Sequence, residues 1–205
     1  MLKERIIENT FELFIERGCK AITMDDVAQI NGISKRTLYE TFQDKASLLE
    51  ACIMYGSDKV DEFFKELSKS SNNVLELMIM VHHHQSTTMM EMQGNLFDDI
   101  KKYYPEVYKS TIEVVRETQV AKTKEMLIVG QKEGVYRMDI NTTISAIMIV
   151  EMATMLRVGQ SKQLKNYSKK DIARETMFTY FRGLSTEKGI KTLDAYFEYI
   201  KNNQQ

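Results

Sequence analysis

An all-α fold is predicted, and three observations carry it. Residues that interrupt helices are scarce: 205 residues contain one proline and nine glycines, too few turn formers for an all-β or doubly wound chain. Fourteen methionines supply good helix formers and adaptable core fillers. Apolar residues recur at three- and four-residue spacing in segment after segment, the period of an amphipathic helix.

The segments follow in order. Ile7, Phe11 and Phe14 fall at i, i+4, i+7, with Ile6, Leu13 and Ile15 flanking them, so a first helix is predicted over 2–17. Gly18 stands where a left-handed C-terminal cap belongs. Thr23-Met-Asp-Asp26 places an acid three residues after a hydroxyl, the pattern of a capping box, and opens a short helix from Met24 to about Ile30. Asn31-Gly32 reads as a turn, Ser34 as the N-cap of a helix over 35–42, and Asp44 as the N-cap of a long helix to about Leu67. The polar run 68–73 breaks the pattern. Val74 to Gln93 forms a long apolar helix ended by Gly94, and Asn95 to Tyr104 a shorter one. Pro105 fits the first turn of a helix to about Lys132, whose end Gly130 and Gly134 bracket. Residues 135–139 form a connector with at most local strand character. An apolar helix from Thr142 to Gly159, a loop over 161–168, a helix capped by Ser168 and running to about Gly183, and a last helix from Thr186 to Ile200 complete nine or ten helices.

A chain of 23.9 kDa is long enough to bury a sizeable core without staples. Lys+Arg 28 against Asp+Glu 29 gives a net charge of −1, so any nucleic-acid contact must come from a local patch. Two cysteines, Cys19 and Cys52, make no disulfide framework and point to a reducing compartment. Charges recur through the first ten residues, so no signal-peptide core is read there. The longest apolar run, Ile144 to Val150, falls far short of the roughly 20 residues of a membrane span. A soluble, cytoplasmic protein with no membrane partner is expected.

Residues 24–43 fit a helix-turn-helix. Two short helices crossing steeply need a small residue where they touch, and Ala28 supplies it. The turn needs a residue tolerant of positive φ, and Gly32 supplies it. Val27, Ile33 and Leu38 stand at the three main spacings that pack the pair. A helical hairpin inside any bundle could present the same pattern, so the neighbouring residues matter.

Those neighbours are Phe11…Phe14…Arg17-Gly18, then Thr23-Met-Asp-Asp-Val-Ala28, Gly32-Ile-Ser34, and Leu38-Tyr39…Phe42…Lys45…Leu48-Leu49. Over about residues 3–50 the chain resembles the TetR family of transcriptional regulators. The resemblance implies a three-helix DNA-binding head over 1–50 and a helical ligand-binding and dimerisation body over 51–205. It also implies a homodimer, a pseudo-palindromic double-stranded operator, and release of DNA when a small-molecule effector enters the body. The sequence departs from the family at Asn31, where a small apolar residue is common, and at Glu40, where a basic or neutral polar residue is common. Residues 1–50 hold seven Lys+Arg and nine Asp+Glu, so the head is net −2.

Spacing assigns roles within the motif. Leu38 and Phe42 are four apart and face the core, which leaves Arg36, Thr37 and Glu40 to meet base edges in the major groove. Arg36 can donate two hydrogen bonds to guanine, and Glu40 can accept one from cytosine N4. Glu40 can equally be a solvated acid paired with Arg36 at i+4. Lys35 and Tyr39 flank the groove and suit phosphates. Thr23 and Ser34 are N-caps first, and helix N-termini aimed at phosphates would bring them to the DNA backbone. Lys45 opens the next helix, where its charge and the free N–H groups could clamp one phosphate.

In the body, Leu75, Met78, His82, Gln85, Met89 and Met92 form one stripe, apolar with two hydrogen-bonding groups at its middle. It suits a pocket for a mostly apolar ligand, or an ordinary core with two satisfied polar residues. His82, His83 and His84 point about 100° apart on a helix and cannot close on one metal ion. No metal or cofactor is therefore expected. Ala173, Met177, Tyr180 and Leu184 form a stripe that, with the helix from Thr142, is expected to pair across a dimer, because neither has an obvious cover within one subunit. Glu151 could pair with Arg174 or Arg182, or face the pocket. The chain shows no Gly-rich phosphate loop, no Gly-x-Ser-x-Gly, no His-Glu-x-x-His and no Cys-x-x-Cys, so it is not expected to be an enzyme. The competing reading is a helical interaction module whose helix-turn-helix binds protein, which the acidic head favours.

Overall fold

The computed structural model describes residues 2–88, 96–157, 164 and 166–203, with backbone alone at 85–88, 156–157, 169–170 and 200–203. Among them are ten helices: α1 (Leu2–Arg17), α2 (Met24–Ile30), α3 (Lys35–Thr41), α4 (Lys45–Ser68), α5 (Val74–Thr88), α6 (Leu96–Tyr103), α7, α8 (Thr142–Arg157), α9 and α10 (Glu187–Asn203). α7 runs through Pro105–Val107, a π segment Tyr108–Ile112 and Glu113–Lys132. α9 likewise runs through Lys169–Ala173, a π segment Arg174–Phe178 and Thr179–Leu184. No described helix is long and apolar enough to cross a membrane.

The chain divides into two compact units that do not follow chain order. The first comprises Met1–Glu62 and Glu91–Glu117, the second Phe63–Met90 and Thr118–Gln205. The three-helix head thus shares its unit with the first three quarters of α4, with α6 and with the start of α7.

The first unit is organised around α1. Its buried face is Ile6, Thr10, Leu13 and Phe14, with Ile7, Phe11 and Ile15 half-buried beside it. The buried stripe is therefore turned one residue from the Ile7–Phe11–Phe14 line, because the fully buried Thr10 occupies its centre. Gly18 ends the helix at φ 75°, donating its N–H to the Phe14 carbonyl at 2.9 Å. Against this face pack Val27, Ala28, Leu38, Phe42, Leu48, Leu49 and Cys52. Leu96, Ile100 and Val107 join the same core from α6 and α7. Gly56 lies so near Phe11 that a Cβ there would meet the ring at 2.7 Å.

The second unit is built on α5, whose Val74, Leu75, Met78 and Ile79 are buried with Leu127, Ala146, Ile149, Met177, Phe181, Leu184 and Leu193. The connector after α7 is pinned rather than loose. Gly134 turns it at φ 73°, Tyr136 forms a single antiparallel bridge with Ser185, and Thr186 N–H donates to the Val135 carbonyl at 3.0 Å. Tyr136 is fully buried, its hydroxyl donating to Met78 Sδ at 3.2 Å.

One expectation is corrected here. Met177 and Leu184 of α9 are buried in this unit's own core with Tyr180 half-buried against it, and Ala173 is buried with Ile172 in a small cluster beside Leu164. α9 thus has a cover within the subunit, because α5, α8 and α10 close over it. Of the two helices, α8 is the one whose described residues leave an uncovered stripe: Ile144, Ile147, Met148 and Met155 are 59%, 41%, 43% and 37% exposed.

Candidate nucleic-acid interface

The helix-turn-helix is closed by local chemistry. At the start of α2 the Thr23 hydroxyl accepts from Asp26 N–H at 3.2 Å, and the Asp26 carboxylate accepts from Thr23 N–H at 2.8 Å. Hydrogen bonds from the Thr23 hydroxyl and N–H hold the Asp26 carboxyl below the usual carboxylate range. Gly32 turns the chain at φ 63°, and Ile33 N–H returns to the Ala28 carbonyl at 3.0 Å. Ser34 Oγ caps α3 by accepting from Thr37 N–H at 3.1 Å. Leu38 and Phe42 are buried.

Asn31, a departure from the family pattern, is built into this frame. It is the α2 C-cap and is buried. Its Nδ2 donates to the Val27 carbonyl at 2.9 Å, its Oδ1 accepts from Asn9 Nδ2 at 3.0 Å, and its carbonyl accepts from Arg5 at 3.2 Å. A small apolar residue would remove the side-chain bond that ties the turn to α1. Sequence reasoning missed this network because Asn9 and Arg5 lie more than twenty residues away.

With Leu38 and Phe42 buried, the other face of α3 is open. Lys35, Arg36, Tyr39 and Glu40 are exposed, and Thr37 is partly so, sharing a hydrogen bond with Ser34 at 2.9 Å. The charges on this face are neutralised in pairs. Arg36 Nε donates to Glu40 Oε1 at 2.8 Å, one helical turn away. Lys35 Nζ donates to Asp25 of α2 at 2.6 Å, which holds the ammonium's pKa above its ordinary value. The Asp25 partner was not foreseen, since the two residues meet only through the turn. Lys45, in the first turn of α4, stands over the Tyr104 ring at 5.5 Å.

In the second unit Met78 is buried under Tyr136, and His82 is half-buried, its ring 5.5 Å from that of Phe181. His83 lies edge-on to Tyr196 and His84 against Phe63, so the three histidines reach three different helices. Of the other stripe residues, Gln85 has no described side chain, and Met89 and Met92 lie outside the described residues. Glu151 sits in the register of Ile147, Met148 and Met155, the uncovered side of α8, rather than with the buried Ala146, Ile149, Val150 and Ala153. Arg182 is paired with Asp194 at 2.7 Å, and Arg174 with Asp171 and Glu175.

Comparison with known proteins agrees with this geometry. Residues 6–52 match the family model described as bacterial regulatory proteins, tetR family. The chain is 28% identical over 139 residues to the biofilm operon icaADBC HTH-type negative transcriptional regulator IcaR of Staphylococcus aureus (strain Newman), an alignment covering 60% of this chain and 75% of that one. Its fold is shared with the ketosteroid transcriptional regulator KstR2 of Mycobacterium tuberculosis, at TM-score 0.60 and 18% identity over 90% of this chain and 95% of that one. RolR in complex with the ligand resorcinol superposes with TM-score 0.63 and 13% identity over 94% of this chain and 91% of that one. The relatives are transcriptional regulators, not enzymes. Residues 6–52 thus form a helix-turn-helix of the tetR family of bacterial regulatory proteins, the family of a transcriptional regulator.

Proposed function

We propose that the chain is a repressor that binds a pseudo-palindromic operator as a homodimer and leaves it when a small, mostly apolar effector enters the second unit. The observation that carries this is α3: buried through Leu38 and Phe42, it presents Arg36, Thr37 and Glu40 together on an open face. Arg36 is the base reader, with Thr37 and Glu40 beside it. Lys35, Tyr39, the capped starts of α2 and α3 at Thr23 and Ser34, and Lys45 take the backbone phosphates. Residues 1–50 serve as the DNA-binding domain and 51–205 as the ligand-binding and dimerisation domain. IcaR, a negative regulator, supports repression, and RolR with resorcinol supports a small effector.

Met78, His82, Gln85 and Met89 are the proposed effector lining, with Glu151 the outermost candidate. Gel shift with the DNA upstream of the chain's own gene tests the reading. Retention of that DNA over a scrambled duplex, and its release by a small apolar compound, is expected. Release that persists after Met78 and His82 are both replaced by Leu would refute the lining. No preference for the upstream DNA would favour a module that binds protein.

A further inference from the structure

The corner between α6 and α7 collects cations onto tyrosine rings. Lys20 and Lys102 both stand over Tyr103, at 5.0 and 5.2 Å from its centre, and Lys101 stands over Tyr108 at 5.6 Å. Lys45 stands over the adjacent Tyr104. Lys20, Lys101, Lys102 and Tyr103 are exposed. The charges of α6 are sorted along its axis: Asp98 and Asp99 occupy its first turn, Lys101 and Lys102 its last. Asp99 accepts the Lys20 backbone N–H at 2.9 Å, and Glu106 follows the corner in α7.

We propose that this corner is a second DNA-backbone site, in which Lys20, Lys101 and Lys102 take phosphates of the duplex beyond the bases that α3 reads. The inference rests on the DNA-binding reading above. Two things select DNA as the occupant. The patch is continuous with the proposed phosphate-binding residues, since Lys45 belongs to both, and Asp26 of the Thr23 capping box lies within the field of Lys45. Its cations also differ in kind from those of α3. Lys35 and Arg36 are each in an ion pair, with Asp25 and Glu40, whereas Lys20 and Lys102 stand against Tyr103, ring and hydroxyl, with Asp99 acting on Lys20 from nearby. The segment that brings Lys101 and Lys102 also brings Asp98, Asp99 and Glu106, so the patch is a local grouping of cations and leaves the net charge of the head negative. Such lysines read no sequence and act through counterion release.

The test is the full-length triple variant Lys20→Ala, Lys101→Ala, Lys102→Ala, with the triple Lys→Arg variant as rescue and Arg36→Ala as reference. Fluorescence anisotropy is measured on the upstream duplex and on a scrambled one over a salt series. The alanine triple should bind both duplexes more weakly by the same factor, with a salt slope reduced by about one unit for each phosphate left without its lysine. The arginine triple should restore the slope. An unchanged slope in the alanine triple, with preference for the upstream duplex still reduced by Arg36→Ala, overturns the corner site and leaves the DNA reading standing. Wild-type chain that binds both duplexes equally, and no better than Arg36→Ala, overturns both.

Discussion

Arg36 donates from Nε to Glu40 Oε1 at 2.8 Å, on the open face of α3, with the two side chains 88% and 60% exposed. The pair is solvated, so its own strength is at most a few tenths of a kcal/mol. In the proposed complex its effect on DNA binding is larger, because Glu40 sets a carboxylate beside the cation proposed to read the bases. Arg36→Ala should cost about 1–3 kcal/mol on the operator and relax preference at one base pair per half-site. Glu40→Ala should raise affinity for operator and scrambled duplex alike by removing phosphate repulsion. Measured on a panel of single-base operator variants, broadened specificity without that general gain would show instead that Glu40 reads a base.

In the proposed complex Lys45, in the first turn of α4, meets a backbone phosphate and not a base edge. Lys45→Ala should weaken binding to all duplexes by the same factor and flatten the salt dependence by about one unit per subunit. Titration at two salt concentrations measures this. A sequence-selective loss would contradict it.

The uncovered stripe of α8 predicts the assembly. Ile144, Ile147, Met148 and Met155 lie at i, i+3, i+4 and i+11 on one exposed, mostly apolar face whose register Glu151 shares at i+7. Wild-type chain should sediment at twice 23.9 kDa at micromolar concentration, and Ile147→Lys with Met148→Glu should sediment at 23.9 kDa. A wild-type monomer contradicts the dimer.

Two glycines near the α7 end should respond differently to alanine. A Cβ at Gly130 would run into the ring of buried Tyr136 and stand 2.9 Å from Val74, so Gly130→Ala should cost about 1–3 kcal/mol by overpacking. Gly134 has open space and only its φ of 73° to strain, so Gly134→Ala should cost about 1 kcal/mol. Urea unfolding ranks them, and the opposite order would contradict the packing around Tyr136.

Burial pushes the Cys19 thiol up to about 11, with Asp99 adding to the shift, and the Cys52 thiol up to about 12, from an ordinary value of 9.0. Both thiols therefore stay neutral in the folded chain near pH 8 and should resist a thiol-reactive disulfide reagent until the chain is unfolded. Their folded values are raised, so this contribution to stability is complete below pH 9 and is lost as pH rises through 11 to 12. Rapid native-state labelling at pH 8 would contradict the burial.

The helices and caps were legible because each depends on residues within one or two turns: Gly18, Thr23 with Asp26, Gly32, Ser34. The α3 face was legible for the same reason, since Leu38 and Phe42 fix its rotation. What escaped depends on partners met across the chain. Asn31 is held by Arg5 and Asn9, Lys35 by Asp25, and Lys45 by Tyr104, and no periodicity announces those partners. The cover over α9 was missed because its stripe looks alike whether a partner subunit or α5, α8 and α10 closes it. The two units also escaped, since Leu96, Ile100 and Val107 join the head's core only after the chain has passed through α5.

Footprinting of the DNA upstream of the chain's own gene by the full-length protein tests the central claim most directly. Two protected half-sites related by an approximate twofold axis are expected, their centres one helical turn or a multiple apart, about 34–36 Å per turn, and both should vanish together in the Arg36→Ala variant. Protection without twofold symmetry, or protection that Arg36→Ala leaves intact, would contradict it.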